Sequence, residues 1–153
     1  ELNFPATPPT EAPVNTALIA GLGIKNCSDY ARSIFDVMVV LPREEDVITV
    51  APDYTALASI DTRGIIVTAA ASQPGLDFVS RFFAPAHGIN EDPVTGSAHC
   101  CLGPYWADQL GKQTLRARQC SSRGGELLVT VKGDRVTLRG AATLIAEGTL
   151  FIP

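Results

Sequence analysis

The chain has 153 residues, of which 46% are hydrophobic and 18% are charged, and its formal net charge at pH 7 is -4. These values indicate one folded domain with a sizeable core and exclude a disordered chain. The acidic balance argues against a nucleic-acid partner, because such proteins carry a basic surface. No apolar run reaches the roughly 18 residues that a membrane span needs, so no membrane partner is expected.

The first half of the chain consists of short apolar runs separated by turn residues. Residues 1–13 contain four prolines, so we predict an extended linker there, followed by a single domain over residues 14–153. Nearly continuous β-branched runs indicate buried strands, and an aspartate or a glycine at the end of a run indicates a helix boundary. The predicted helices of this half cover 14–22 and 53–58, and the predicted strands cover 34–41, 47–50, 64–70 and 76–83.

The second half contains the strongest helical pattern of the chain, over residues 97–110. Its apolar residues recur at helical spacing, and Gly111 ends the pattern. Strand patterns follow over 114–121, 126–131, 135–139 and 142–152, with a hairpin turn at residues 132–134. Because strands dominate and do not alternate regularly with helices, we predict an α+β fold built around one principal helix, about residues 97–110.

Residues 90–99 carry the pattern with the clearest chemical meaning. The Asp92-Pro93 pair fixes a turn, Gly96 allows close approach to the backbone, and Ser97 lies where the helix begins. Free N–H groups at a helix N-terminus form a site for a carboxylate or a phosphate. Asp92 is a candidate for binding an amine or hydroxyl, or for positioning a proton donor. The alternative is that Asp92 and Ser97 only cap the helix.

Residues 92–99, read as Asp-Pro-Val-Thr-Gly-Ser-Ala-His, resemble the signature of the PhzF-like, or phenazine-biosynthesis-like, isomerases. Further matching stretches lie at 77–85, 105–106, 119–126 and 147–148. The resemblance implies a diaminopimelate-epimerase-like fold with two similar halves. Each half has a mixed or antiparallel sheet curled around a central helix, and the active site lies between the halves. This chain resembles the second half only.

The resemblance also implies the chemistry, which is isomerisation or epimerisation of a small carboxylic acid by proton transfer, without a cofactor or a metal. Asp92 is then expected to bind the substrate or the group that shuttles the proton. Ser97 is expected to bind the substrate carboxylate together with the Gly96 backbone. Arg123 is a further candidate for that carboxylate, although a solvated turn arginine is the plainer interpretation. The family's general acid/base glutamate lies in a Ser-Glu-Thr-Ala-Phe-like motif of the first half, which residues 1–153 do not contain.

Three arrangements remain open at this point. The chain acts with a complementary N-terminal half, or two copies form a homodimer in which Glu91 or Glu126 replaces the missing base, or the domain binds a small anion or a partner protein without turnover. Two structural expectations accompany them: Arg81 pairs with Asp77 on one strand face, and His87 is an exposed loop residue. The four cysteines form no CxxC pair, which favours reduced thiols and a cytoplasmic location.

Overall fold

A single mixed sheet of nine strands dominates residues 1–151, the part of the chain that the computed structural model describes. The strands are β1 (Leu2–Pro5), β2 (Thr10–Glu11), β3 (Asp29–Arg32), β4 (Asp36–Val40), β5 (Gly64–Ala70), β6 (Phe78–Phe83), β7 (Thr114–Gln119), β8 (Gly125–Lys132) and β9 (Arg135–Arg139). The α-helices are α1 (Thr16–Gly21), α2 (Glu44–Thr49), α3 (Tyr54–Ala58) and α4 (Gly96–Leu110). Across the sheet the order is β1-β9-β8-β7-β6-β5-β4-β3-β2. The β4–β5 and β6–β7 pairs are parallel, and the other neighbours are antiparallel.

The sheet is strongly curled, because its two edge strands come from one short stretch of chain. β1 pairs with β9 at one edge, β2 pairs with β3 at the other, and residues 6–9 join them. Nine strands laid flat would separate the edges by roughly 38 Å at about 4.8 Å per strand, whereas this connection reaches at most about 18 Å. The sheet therefore wraps around α4, and the predicted α+β fold with a sheet curled around a central helix is confirmed.

The central strands are buried on both faces, which explains their nearly continuous apolar runs. On β4, Met38 packs towards α4, while Val39 packs towards the layer formed by α1, α2 and α3. On β6, Phe78 likewise packs towards α4, and Val79 packs towards the layer of α1, α2 and α3. Residues 1–151 thus form two apolar cores, and α4 lies in the inner one.

Helix α4 is fixed against the sheet by close packing. Trp106 stacks on Phe78, with ring centroids 5.8 Å apart, and its indole N–H donates to Thr68 Oγ1 at 3.0 Å. A Cβ atom at Gly103 would lie 2.9 Å from Val129 Cγ1, so glycine permits the close approach of helix and sheet. No helix within residues 1–151 combines the length and the apolar character that crossing a membrane requires.

Pro104 lies inside α4 and has no N–H to donate to the carbonyl of Cys100. That carbonyl instead accepts a hydrogen bond from the backbone N–H of Thr7, at 3.0 Å. The connection between the two edge strands is therefore attached directly to the central helix.

Several predicted elements differ from the observed ones. Residues 1–13, predicted as a linker, supply two strands of the sheet. Residues 47–50, predicted as extended, lie mostly in α2. Residues 142–151, predicted as a strand, form no regular element, and residue 152 of that prediction lies outside the described residues. The helix at 53–58, the strand at 64–70 and the hairpin between β8 and β9 are confirmed.

Candidate functional site

The loop that carries Asp92 is anchored to the sheet. The Asp92 N–H donates to the carbonyl of Phe82 on β6, at 3.0 Å. The Asp92 carboxylate is half-buried, and its Oδ2 atom accepts a hydrogen bond from the hydroxyl of Thr95. Within residues 1–151 the other oxygen, Oδ1, has no hydrogen-bond partner, so it is available to a ligand.

A fully buried glutamine on β7 holds this loop in place. Gln119 Oε1 accepts from the Thr95 N–H at 2.8 Å, and its Nε2 donates to the Asp92 carbonyl at 2.7 Å and to Thr95 Oγ1 at 3.1 Å. Because the Thr95 hydroxyl accepts from Gln119, its own proton is directed at Asp92. Gln119 lies in the stretch 119–126, which resembles the isomerase family, but the sequence pattern predicted no role for it.

The N-terminus of α4 is not capped by a side chain. Thr95 occupies the N-cap position, but its hydroxyl is bound to Asp92 and Gln119 rather than to the helix. By contrast, Asn15 and Asp53 accept N–H groups at the starts of α1 and α3. The first backbone N–H groups of α4 therefore have no acceptor within residues 1–151. Together with the helix dipole they favour an anion at this end.

Gly96 is the first residue of α4, and packing does not require a glycine at this position. Its φ is not positive, and a Cβ atom there would meet Leu138 Cδ1 at an ordinary distance of 3.6 Å. The fold tolerates a side chain at this position. The predicted role of Gly96, close approach of a ligand to its backbone, stays a prediction.

Ser97 is bound by Arg63, a residue for which the sequence predicted no role. Arg63 Nη2 donates to Ser97 Oγ at 3.0 Å, and Arg63 also pairs with Asp36 through Nε, at 2.9 Å, and through Nη2. Asp36 is almost completely buried, and the Arg63 guanidinium lies 4.9 Å from the ring centroid of Phe35. Arg63 and Ser97 are 34 residues apart in the chain, so no local pattern could have indicated the contact.

An apolar hollow of about 330 Å³ opens beside Ser97. Its rim includes Ile34 and Phe35, which are 75% and 48% exposed. The hollow is lined by Phe4, Pro5, Thr7, Ile34, Phe35, Ser97 and Cys100. The helix N-terminus therefore lies next to an accessible apolar surface.

Arg123 lies in the loop between β7 and β8, next to the loop of Asp92. Ser121 in that loop donates through Oγ to the carbonyl of Pro93 at 2.7 Å. The Arg123 side chain is exposed, and within residues 1–151 it makes no hydrogen bond or ion pair. Its role in carboxylate binding stays a prediction.

The two glutamates considered as substitute bases are both paired with arginine. Glu91 forms two hydrogen bonds with Arg81, at 2.7 and 3.0 Å. Glu126 binds Arg118 with a shortest distance of 2.6 Å. The expected pairing of Arg81 with Asp77 is wrong, because Arg81 pairs with Glu91. Asp77 instead pairs with Lys112 and accepts the backbone N–H of Arg116.

His99 lies one turn into α4 and is fully buried. Its Nδ1 atom lies 2.8 Å from the Thr95 carbonyl, and Nε2 has no partner within residues 1–151. Burial lowers the pKa of His99 below its ordinary value of 6.5, although the hydrogen bond to Thr95 opposes the shift. His99 is therefore a neutral core residue that does not pair with Ser97.

The thiols close to the site are not reactive groups. Cys100 and Cys101 are free and buried, and burial raises the pKa of both, that of Cys101 to about 12. A thiol that stays protonated is a poor nucleophile and base. Within residues 1–151 no three His, Cys, Asp or Glu side chains lie close enough together to hold a metal ion.

Comparison with known proteins gives a consistent result over nearly the whole chain. A family model described as phenazine biosynthesis-like protein (PhzC-PhzF) matches residues 2–148. An uncharacterised isomerase of Pseudomonas aeruginosa is 50% identical over 149 residues, which are 97% of this chain and 56% of that protein. Another, of Halalkalibacterium halodurans, is 44% identical over 153 residues, which are 99% of this chain and 57% of that protein.

Solved structures agree with these sequence matches. A phenazine biosynthesis protein of the PhzF family from Enterococcus faecalis has a TM-score of 0.87 and 42% identity, and the match covers 99% of this chain and 57% of that one. A PhzF-family protein from Bacillus anthracis, at 17% identity, has a TM-score of 0.67 and shows the same fold. The chain thus spans little more than half the length of the relatives it matches.

Proposed function

Since the chain belongs to the phenazine biosynthesis-like family, we propose that it forms one half of an isomerase that moves a proton within a small carboxylic acid. Relatives named as isomerases support an isomerase-type function. The observation that carries the proposal is that Gln119 and Thr95 orient the Asp92 carboxylate at the uncapped N-terminus of α4. A carboxylate beside oriented N–H donors suits proton transfer next to a carboxyl group.

In this proposal each site residue has one role. Gly96 and Ser97 bind the substrate carboxylate through backbone N–H groups and the Ser97 hydroxyl. Asp92 binds the substrate, or the group that carries the proton, through its free oxygen. The general base comes from outside this chain, since Glu91 and Glu126 are already bound by arginines.

The partner in this proposal is a second half that covers the apolar hollow beside Ser97. Exposed Ile34 and Phe35 support such a partner, because exposed apolar surface next to a polar site marks a contact region. A complementary N-terminal half fits both requirements, because it covers the hollow and supplies the base. A second copy of this chain covers the hollow but brings the same arginine-bound glutamates. The four free cysteines support a reducing, cytoplasmic location.

A second candidate function is a domain that binds a small anion without turnover. The ion pairs of Glu91 and Glu126 favour it, because they leave this chain without a ready base near the site. This candidate predicts ligand binding but no exchange of carbon-bound hydrogen with solvent.

The two candidates can be separated with a chimera in which this chain replaces the matching part of the Enterococcus faecalis relative. The chimera is incubated in heavy water with a panel of small amino and unsaturated carboxylic acids, and deuterium uptake is measured by mass spectrometry. We expect uptake that Asp92→Asn abolishes and that Asp108→Asn, at an exposed helix position, leaves unchanged. Uptake that survives Asp92→Asn contradicts the proposed role of Asp92, and binding without uptake favours the binding domain.

A further inference from the structure

We propose that Arg63 is a ligand-binding residue of this site and that, together with Ser97, it makes the site selective for a carboxylate attached to an apolar body. This inference rests on the proposed function, which it extends by a residue and a ligand class. Sequence patterns pointed to Arg123 as the candidate arginine, but it is Arg63 that contacts a predicted site residue.

The guanidinium of Arg63 is held in one orientation by two neighbours. Asp36 binds its Nε and Nη2 atoms, and the ring of Phe35 lies against its face. Asp36 is only 1% exposed, so its own position is fixed by the sheet. An arginine ordered in this way loses little side-chain entropy when it binds a further group.

Two donors of the Arg63–Ser97 pair have no partner within residues 1–151. The Nε N–H and one Nη2 N–H of Arg63 donate to Asp36, and the other Nη2 N–H donates to Ser97 Oγ. Within residues 1–151 the Nη1 atom of Arg63 has no acceptor. Because Ser97 Oγ accepts from Arg63, its hydroxyl proton is also available. One carboxylate can therefore accept the Ser97 hydroxyl with one oxygen and an Nη1 N–H with the other.

Charge and shape at this point define the ligand class. Asp36 compensates the charge of Arg63, so the attraction for an anion comes from directed N–H and O–H donors and from the α4 terminus. The hollow beside Ser97 is lined mainly by apolar side chains, among them Phe4 and Ile34. Arg63 itself does not line the hollow, but it contacts two residues that do, Ser97 and Phe35. A ligand with a carboxylate at one end and an apolar body at the other fits these neighbouring surfaces.

The test uses benzoate as the probe and benzamide as its uncharged counterpart, with binding followed by the amide ¹H–¹⁵N signals of Gly96 and Ser97. We expect benzoate to shift both signals and benzamide to bind at least tenfold more weakly. Arg63→Lys should weaken benzoate binding, because a point charge cannot reproduce the planar donor edge. Arg116→Met serves as the matched control, because Arg116 is exposed and its guanidinium makes no hydrogen bond within residues 1–151, and it should bind benzoate like the wild type.

Removing Arg63 alone would leave Asp36 buried and unpaired, which could unfold the protein. The decisive variant is therefore the double substitution Asp36→Asn with Arg63→Gln, which keeps a neutral hydrogen-bonded pair. We expect at least a tenfold loss of benzoate affinity in a protein whose amide spectrum remains folded. Wild-type affinity in this variant overturns the role of Arg63 but leaves the proposed function in place. If the wild type does not bind benzoate at Gly96 and Ser97, the inferred ligand class is wrong, whereas the proposed function is decided separately by the deuterium uptake of the chimera.

Discussion

Replacing Gln119 by leucine tests whether this one side chain holds the site. Leucine has a similar size, so little packing is lost, but the Thr95 N–H and the Asp92 carbonyl lose their partners. Thr95 is buried, and a buried donor left unsatisfied costs about 1–3 kcal/mol. Asp92 is only half-buried, so the loss of the hydrogen bond to its carbonyl adds less. We expect Gln119→Leu to lower the free energy of unfolding by roughly 2–4 kcal/mol.

Urea denaturation followed by the fluorescence of the single tryptophan, Trp106, measures this change. Gln113→Leu is the matched control, because Gln113 is exposed and its side chain makes no hydrogen bond within residues 1–151. The control should stay within about 0.5 kcal/mol of the wild type. A loss below about 1 kcal/mol for Gln119→Leu would show that solvent or a rearranged loop replaces the three hydrogen bonds.

Three further outcomes follow from the structure. Burial keeps His99 neutral, whereas the unfolded chain takes up a proton near pH 6.5. The folded state therefore binds fewer protons than the unfolded state below that pH. The free energy of unfolding falls as the pH falls, by up to about 1.4 kcal/mol per pH unit. Urea denaturation at pH 7.5 and 5.5 measures this slope, which His99→Gln should remove and His87→Gln should not. Gly103→Ala should lower the free energy of unfolding by roughly 1–3 kcal/mol in the same assay, because its Cβ would lie 2.9 Å from Val129. Gly96→Ala should leave stability within about 0.5 kcal/mol but weaken benzoate binding in the amide titration, and unchanged binding would contradict the proposed ligand approach.

The short-range part of the site could be predicted from the sequence. Asp92, Gly96 and Ser97 lie within six consecutive positions, and the turn and helix start that join them are local events with recognisable residues. The partners that fix them could not be predicted. Gln119 lies 24 positions from Thr95 and Arg63 lies 34 positions from Ser97, so only the sheet topology brings these residues together.

The errors in the predicted elements have a similar origin. Residues 44–49 form α2 even though Val47 and Ile48 favour a strand, because the apolar face of the helix packs against β5 and β6. Tertiary contacts here outweigh intrinsic propensity. Residues 142–151 have a strand-like composition, but within residues 1–151 they pair with no neighbouring strand. An extended segment becomes a strand only when its backbone groups form hydrogen bonds with the edge strand of a sheet.

The bond between Thr7 and the Cys100 carbonyl has a consequence for the order of assembly. β1 pairs with residues of β9 that lie at least 130 positions away in sequence. Thr7 can bind the Cys100 carbonyl because Pro104, in the formed helix α4, has no N–H to donate to it. Contacts of such long sequence separation slow folding, since the chain loses much freedom before they form. β2 pairs with the nearby β3, so we expect only the contacts of β1 and Thr7, which close the curled sheet onto α4, to form late.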